Sequence, residues 1–310
     1  MISSLSPQSQ QFLADVAFAQ QRIAVANQQL SSGLKIQVAS DGPDVVSELL
    51  QLRANLQKNS QLTDNLGLAK TDADVADTSL NAATQLMDTA LSLAAQGATA
   101  TTTAAGRQAI AGQVQGILEQ MVGYANTQSG ERYVFGGDAE TSPPYQLDLL
   151  QANGVDQLTT AGATRRIEDP AGGSFPASQT AQQIFDNRNP DGSLANDNVF
   201  AALNTLRVAL LNNDTSGITA ATTPLKAASD HLNISLAFYG TVENRIQDAT
   251  TYASNYDVQL QTQISQLQDA DVAAASLELT QGTTQLQAAF ASEARLPRYT
   301  LFDFLNTTGG

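Results

Sequence analysis

Leu225, Leu232, Tyr239, Ile246, Ala253, Leu260 and Leu267 follow one another at intervals of seven residues, and this series decides the fold. A straight α-helix drifts off a seven-residue repeat, so an apolar heptad kept this long implies a helix supercoiled around a partner. Residues 225–267 alone would extend roughly 65 Å at about 1.5 Å per residue. The facing stripe is Leu62, Leu66, Ala69, Ala73, Ala76, Leu80, Ala83, Met87, Ala90 and Ala94, with Val45, Leu49, Leu52 and Leu56 before it in another register. Its spacing alternates four and three, and Gly67 is the single interior breaker, a cost of about 1 kcal/mol. One helix over 43–95 is therefore expected. The Thr- and Gly-rich stretch 96–105 then turns the chain into a helix marked by Ile110, Val114, Ile117, Met121 and Tyr124. Helical period returns at Asn198, with Phe200, Leu203, Leu206 and Leu210.

Two further stripes lie outside this bundle. Phe12, Val16, Ala19, Ile23, Ala26 and Leu30 keep the same alternating spacing until Gly33, a residue suited to a left-handed C-cap. At the other end Asp269-Ala270-Asp271 interrupts the long heptad and offers a cap for a last helix carrying Val272, Ala275, Leu279, Leu286 and Phe290. Isolated helices of this length are marginal in water, which ties their order to neighbours. Phe12, Val16, Ile23 and Leu30, with Val272, Leu279, Leu286 and Phe290, are thus the candidate assembly interface. Leu301, Phe302, Phe304 and Leu305 add four large apolar groups near the chain end. They form either a partner patch or an anchor docking on the chain's own domain.

Between the helical halves the texture changes. Tyr133-Val134-Phe135 is closed by Gly136-Gly137, and Pro143-Pro144 and Gly172-Gly173 follow. Short strands are expected at 133–135, 145–150 and 165–167. The fold class is mainly α: an elongated helical bundle or coiled coil formed by the N- and C-terminal segments, with a small β-containing middle insert. The divisions are an N-terminal assembly helix and turn (1–42), the first bundle part (43–137), the insert (138–197), the second bundle part (198–268), and a C-terminal assembly helix and tail (269–310).

Composition narrows the functional classes. Aromatics are 5% of the chain and Trp is absent, which favours close helix packing by small aliphatic residues. A formal net charge of −15 disfavours nucleic acid and anionic membrane surfaces as partners. Without cysteine there are no disulfides, thiolate nucleophiles or Cys-based metal sites, and the single His231 excludes paired-His zinc motifs. Asp186, Asn187, Asn189, Asp191 and Gly192 do not keep the spacing of a calcium loop and read as a solvated turn. No cofactor, metal or catalytic residue is expected. No run nears the ~20 apolar residues of a membrane span, and the first residues lack the regions of a cleavable signal peptide.

Three stretches resemble the bacterial flagellin family: residues 30–43, Leu-Ser-Ser-Gly-Leu-Lys-Ile-Gln-Val-Ala-Ser-Asp-Gly-Pro; Ala125-Asn126-Thr127 through Gly130, Arg132, Tyr133, Phe135 and Gly137, with Pro143-Pro144-Tyr145; and the heptad helix with Asp269-Ala270-Asp271 and the ending Thr300-Leu301-Phe302-Asp303-Phe304-Leu305. The second and third are similar to the hook–filament junction proteins of that family more than to its filament subunits. Gly42 departs from the pattern, standing where a second Asp is usual, and Pro297 interrupts a terminal helix that is usually continuous. The resemblance implies a secreted structural subunit of the bacterial flagellum, joining hook to filament by helix-mediated polymerisation after type III export. Its partners would be copies of itself, a neighbouring hook-associated protein and flagellin, with an export chaperone covering the C-terminal region beforehand. A filament subunit is the alternative within the family, and a cytoplasmic coiled-coil adaptor the alternative outside it.

Overall fold

The computed structural model describes residues 7–294. Helices α1 (Pro7–Ser32), α2 (Val46–Ala98) and α3 (Ala104–Ala125) come first. Six short strands follow: β1 (Gln128–Ser129), β2 (Arg132–Tyr133), β3 (Tyr145–Leu147), β4 (Val155–Gln157), β5 (Arg166–Glu168) and β6 (Ser174–Pro176). Helices α4 (Ala181–Phe185), α5 (Val199–Leu211), α6 (Thr215–Gln268) and α7 (Val272–Glu293) complete the order. The chain divides into two compact units, one made by Met1–Gln57 with Val258–Gly310 and the other by Lys58–Asp257.

The Lys58–Asp257 unit buries the stripes read from the sequence. Leu66, Ala73, Ala76, Leu80, Ala83, Met87, Ala90 and Ala94 of α2 are buried, as are Ile110, Val114, Ile117 and Met121 of α3. Phe200, Leu203, Leu206 and Leu210 of α5 join them, with Leu225, Leu232, Tyr239 and Ile246 of α6. Gly67 leaves α2 unbroken. The buried Asn59 of α2 donates from its side-chain nitrogen to the Ala253 carbonyl at 2.8 Å.

Local signals set the helix ends. Thr103 caps α3 by accepting from the Gly106 N–H at 3.1 Å, and Asn198 caps α5 through Ala201 N–H at 2.9 Å. Arg107 folds back over the α2–α3 turn. Its guanidinium donates to the carbonyls of Gly97 at 2.8 Å and Thr99 at 3.0 Å, and to Asn213 at 2.7 Å. A cation there satisfies carbonyls that a helix C-terminus leaves unpaired and opposes its dipole.

The middle segment forms three separate antiparallel pairs, β1–β2, β3–β4 and β5–β6. The expected strand at 133–135 stops at Tyr133, because Val134 and Phe135 turn into the interior and are buried. Phe135 meets Phe185 at 5.7 Å and Tyr239 at 6.1 Å, while Phe200 meets Tyr145 at 5.2 Å and Phe185 at 5.9 Å. Five aromatic residues are thus gathered where strands, α4, α5 and α6 converge. Asp186, expected in a solvated turn, is instead buried. It accepts from Tyr145 at 3.2 Å, Asn153 at 2.9 Å, Asn198 at 2.8 Å and Arg188 at 2.8 Å. Four donors with one charged among them offset the desolvation of the carboxylate. Burial and the facing Asp186 charge push the Tyr145 phenol well above its usual range. His231 sits at the boundary, its Nε2 2.7 Å from the Gln183 carbonyl and its Nδ1 3.3 Å from Asp197.

Candidate assembly interface

In the other unit α1 packs along α7. The two run antiparallel: Phe12, near the start of α1, meets Phe290, near the end of α7, edge to face at 6.1 Å. At the opposite end Leu34 bridges Asp269, and the Ala270 N–H donates to the Gly33 carbonyl at 2.9 Å. Midway the backbones come close. A Cβ placed on Gly282 would lie 2.8 Å from Cγ1 of Ile23, so only glycine leaves room for that side chain. Ala19, Ala26 and Ala275 are the buried aliphatic residues of the seam. Small residues therefore make the close contact, and larger ones flank it.

Both ends of the pair are fixed by chemistry legible in the sequence. Gly33 adopts φ +71° and donates its N–H to the Gln29 carbonyl at 2.8 Å, ending α1 in the left-handed conformation. Asp271 caps α7 by accepting from the N–H groups of Ala273 at 2.9 Å and Ala274 at 3.0 Å. The segment after Gly33 is held by Gln268, whose carbonyl accepts from Lys35 N–H at 2.7 Å and whose side chain accepts from Arg53 at 2.9 Å. Asp41 closes the following turn through Gln37 N–H at 2.9 Å and Val38 N–H at 3.0 Å, bonds that lower its carboxyl below the usual range. Gly42 has a spatial reason as well. A Cβ there would sit 2.9 Å from Cδ1 of the buried Ile36, so a larger residue would displace that side chain.

Of the residues read from the stripes, Phe12, Val16, Ile23 and Leu30 on α1 and Leu279 and Leu286 on α7 are half-buried. Val272, in the first turn of α7, and Phe290, near its end, are more than half exposed. The structure brings Phe12 to Phe290, whereas Leu301, Phe302, Phe304 and Leu305 lie outside the described residues. Two features were missed. Gly282 holds a seam position without a side chain, so no apolar period marks it. Phe18 and Val25, also seven apart, form a second stripe on the flank of α1, 62% and 46% exposed. They line a groove of about 320 Å³ with Gln21, Arg22, Ala26 and Glu278.

Arg22 crosses the pair. Its Nε donates to Glu278, its Nη1 donates to Gln285 at 3.2 Å, and its guanidinium stands 5.7 Å from the Phe18 ring centroid. The bond from Arg22 holds the Glu278 carboxyl below the usual carboxylate range, and Glu278 in turn raises Arg22. This arrangement orients surfaces and carries no nucleophile–base geometry. Among the described residues no group of three or more His, Asp or Glu could hold a metal ion, and no helix is long and apolar enough to cross a membrane.

Comparison with known proteins agrees with this architecture. The bacterial flagellin N-terminal helical region matches residues 2–138, and the bacterial flagellin C-terminal helical region matches residues 216–305. Flagellar hook-associated protein 3 of Escherichia coli strain K12 is 25% identical over 294 residues, 89% of this chain and 90% of that protein. The protein of the same name from Salmonella typhimurium is 25% identical over 251 residues, 79% of this chain and 74% of its own. The crystal structure of Xanthomonas campestris FlgL superposes with a TM-score of 0.58 at 14% identity, covering 70% of this chain and 99% of the other, a likeness of fold. With both helical regions matched in order around an intervening segment, the chain belongs to the bacterial flagellin family.

Proposed function

We infer that this chain is a structural, non-catalytic subunit of the bacterial flagellum, placed outside the cell at the junction of hook and filament. It joins copies of itself, and its hook-associated and flagellin neighbours, through the α1–α7 pair. The observation that carries this reading is the apolar flank of that pair that stands open among the described residues. Phe18 and Val25 stand open beside a seam that small residues already close. A helix whose second apolar stripe stands open among the described residues is suited to a partner outside the chain. Membership of the flagellin family supports a flagellar structural subunit, and the two relatives named hook-associated protein 3 support the junction over the filament.

The same reading has the chain leave the cell by the flagellar export route, with a chaperone holding Leu301, Phe302, Phe304 and Leu305 until assembly. Phe18→Asp tests the interface. The variant is expected to keep the monomer's helix content by circular dichroism and to lose incorporation into flagella and self-association by sedimentation. Normal incorporation would overturn the role of this flank. Long self-grown filaments of the unaltered chain under negative stain would instead favour a filament subunit over a junction subunit.

A further inference from the structure

The Lys58–Asp257 unit carries a second surface that the α1–α7 pair does not explain. A cavity of about 230 Å³ opens between α2 and the β5 region, floored by Leu68, Ala69, Ile167 and Ala177. Leu68 is 60% exposed although it belongs to this apolar floor. Three arginines, Arg132, Arg165 and Arg166, line the cavity, in a chain of formal net charge −15. Asp72 accepts from Arg165 at 2.8 Å and from Arg132 at 3.2 Å, and Glu140 stands 3.5 Å from Arg132 and 3.7 Å from Arg165. Those two cations are compensated. Arg166 reaches only the hydroxyl and carbonyl of Ser174, at 3.2 and 2.8 Å, and is exposed. Among the described residues it makes no ion pair.

The opposite flank of α2 carries the complement. At about 100° per residue, Asp74 and Asp77 lie about 200° and about 140° round the helix from Asp72. Lys70 compensates Asp74 at 2.9 Å, while Asp77 takes only an amide donor, Asn81, at 2.9 Å. Glu243 of α6 belongs to the same group. Partial burial first, and then the charges of Asp77 and Asp74, raise its carboxyl above the usual range. One flank thus offers an unpaired cation over an apolar cavity, and the other offers carboxylates, of which Asp77 makes no ion pair among the described residues.

We propose that this cavity receives the acidic flank of a second copy of this chain, with Arg166 facing Asp77 and Glu243 and with Leu68 covered by the neighbouring α2. The contact uses different patches on the two copies, so it repeats head to tail and closes a ring or continues as a helix. Burying Arg166 against two carboxylates pairs the guanidinium that, among the three lining the cavity, has no carboxylate of its own among the described residues. This deepens the assembly reading and rests on it, yet it concerns a surface in the other unit.

Because the chain has no cysteine, adjacency can be trapped directly. Full-length Asn65→Cys and Thr78→Cys chains, which keep every charge named above, are mixed under assembling conditions and oxidised. The mixture is expected to yield a disulfide-linked dimer between the two variants. Thr78→Cys mixed with Leu150→Cys, a residue at an exposed loop outside the cavity, is expected to yield none. Arg166→Glu should abolish the product, and combining it with Asp77→Arg should restore it. Chains that associate normally but give no Asn65→Cys/Thr78→Cys dimer, or give as much with Leu150→Cys, would overturn this contact and leave the α1–α7 reading standing. A dimer that forms with Phe18→Asp present in both chains, without loss of association, would keep this contact and overturn the α1 flank. Chains that remain monomeric throughout would overturn both.

Discussion

The two units spend their apolar residues differently. In the Lys58–Asp257 unit, Leu66, Leu80, Met87, Leu118 and Leu232 are fully enclosed, and an aromatic cluster fills the junction of the helices with the strands. Along the α1–α7 pair the residues below a tenth exposure are Ala19, Ala26, Ala275 and Gly282, while Phe18, Leu277 and Phe290 stand more than half open. Each large side chain left in water forgoes about 1.5–3 kcal/mol of burial. The Lys58–Asp257 unit therefore draws its burial free energy from large side chains. A pair whose most buried positions are small leaves several of its larger residues open.

The contrast can be broken most forcefully in the enclosed unit. Leu80→Ala removes a fully buried side chain on α2 and should cost about 2–5 kcal/mol, read as a lower urea midpoint of the cooperative transition. A smaller effect is expected at the seam of the pair. Gly282→Leu must displace Ile23, which already lies 2.8 Å from the first added carbon, and should cost about 1–3 kcal/mol, visible as faster amide exchange in α1 and α7 with the other unit unchanged. Phe18→Ala sharpens the comparison, because truncating an exposed residue should leave stability within about 0.5 kcal/mol by denaturation while weakening self-association. An Ala variant that unfolds more readily would place Phe18 in a core of its own chain.

Acid should have the least effect. Arg22 lowers the folded-state Glu278 carboxyl relative to the unfolded chain, so this contribution is present above the ordinary carboxylate pKa and fades as pH falls through the depressed value. Both groups are open to solvent, and screening keeps the contribution small. The expected sign is a looser α1–α7 pair in acid, measured by amide exchange in α1 from pH 5 down to about pH 3. Glu278→Gln should remove that dependence.

Much of this architecture was legible in the sequence because periodicity reports burial directly. The heptads of α6, the alternating stripe of α2 and the shorter runs of α3 and α5 turn most of their marked residues inward, with Leu62, Ala69, Tyr124 and Leu267 half-buried. Gly33 and Asp271 end and begin their helices as their chemistry requires. What period cannot register was lost. Gly282 contributes by having no side chain, Gln268 holds the residues after Gly33 largely through its backbone carbonyl, and Asp186 is buried by donors distant along the chain. Nor does a dominant seam advertise a second one. Phe18 and Val25 keep the same interval as the residues beside them, and only the position of α7 separates the covered stripe from the open one.

Hydrogen–deuterium exchange on the full chain, compared as monomer and after incorporation into flagella, tests most directly whether the terminal pair is completed by neighbours. In the monomer α1 and α7 should exchange far faster than α3, α5 and the central turns of α6, and assembly should slow α1 and α7 by orders of magnitude while the others stay as they were. Terminal helices as protected in the monomer as α3, with no further gain on assembly, would contradict it.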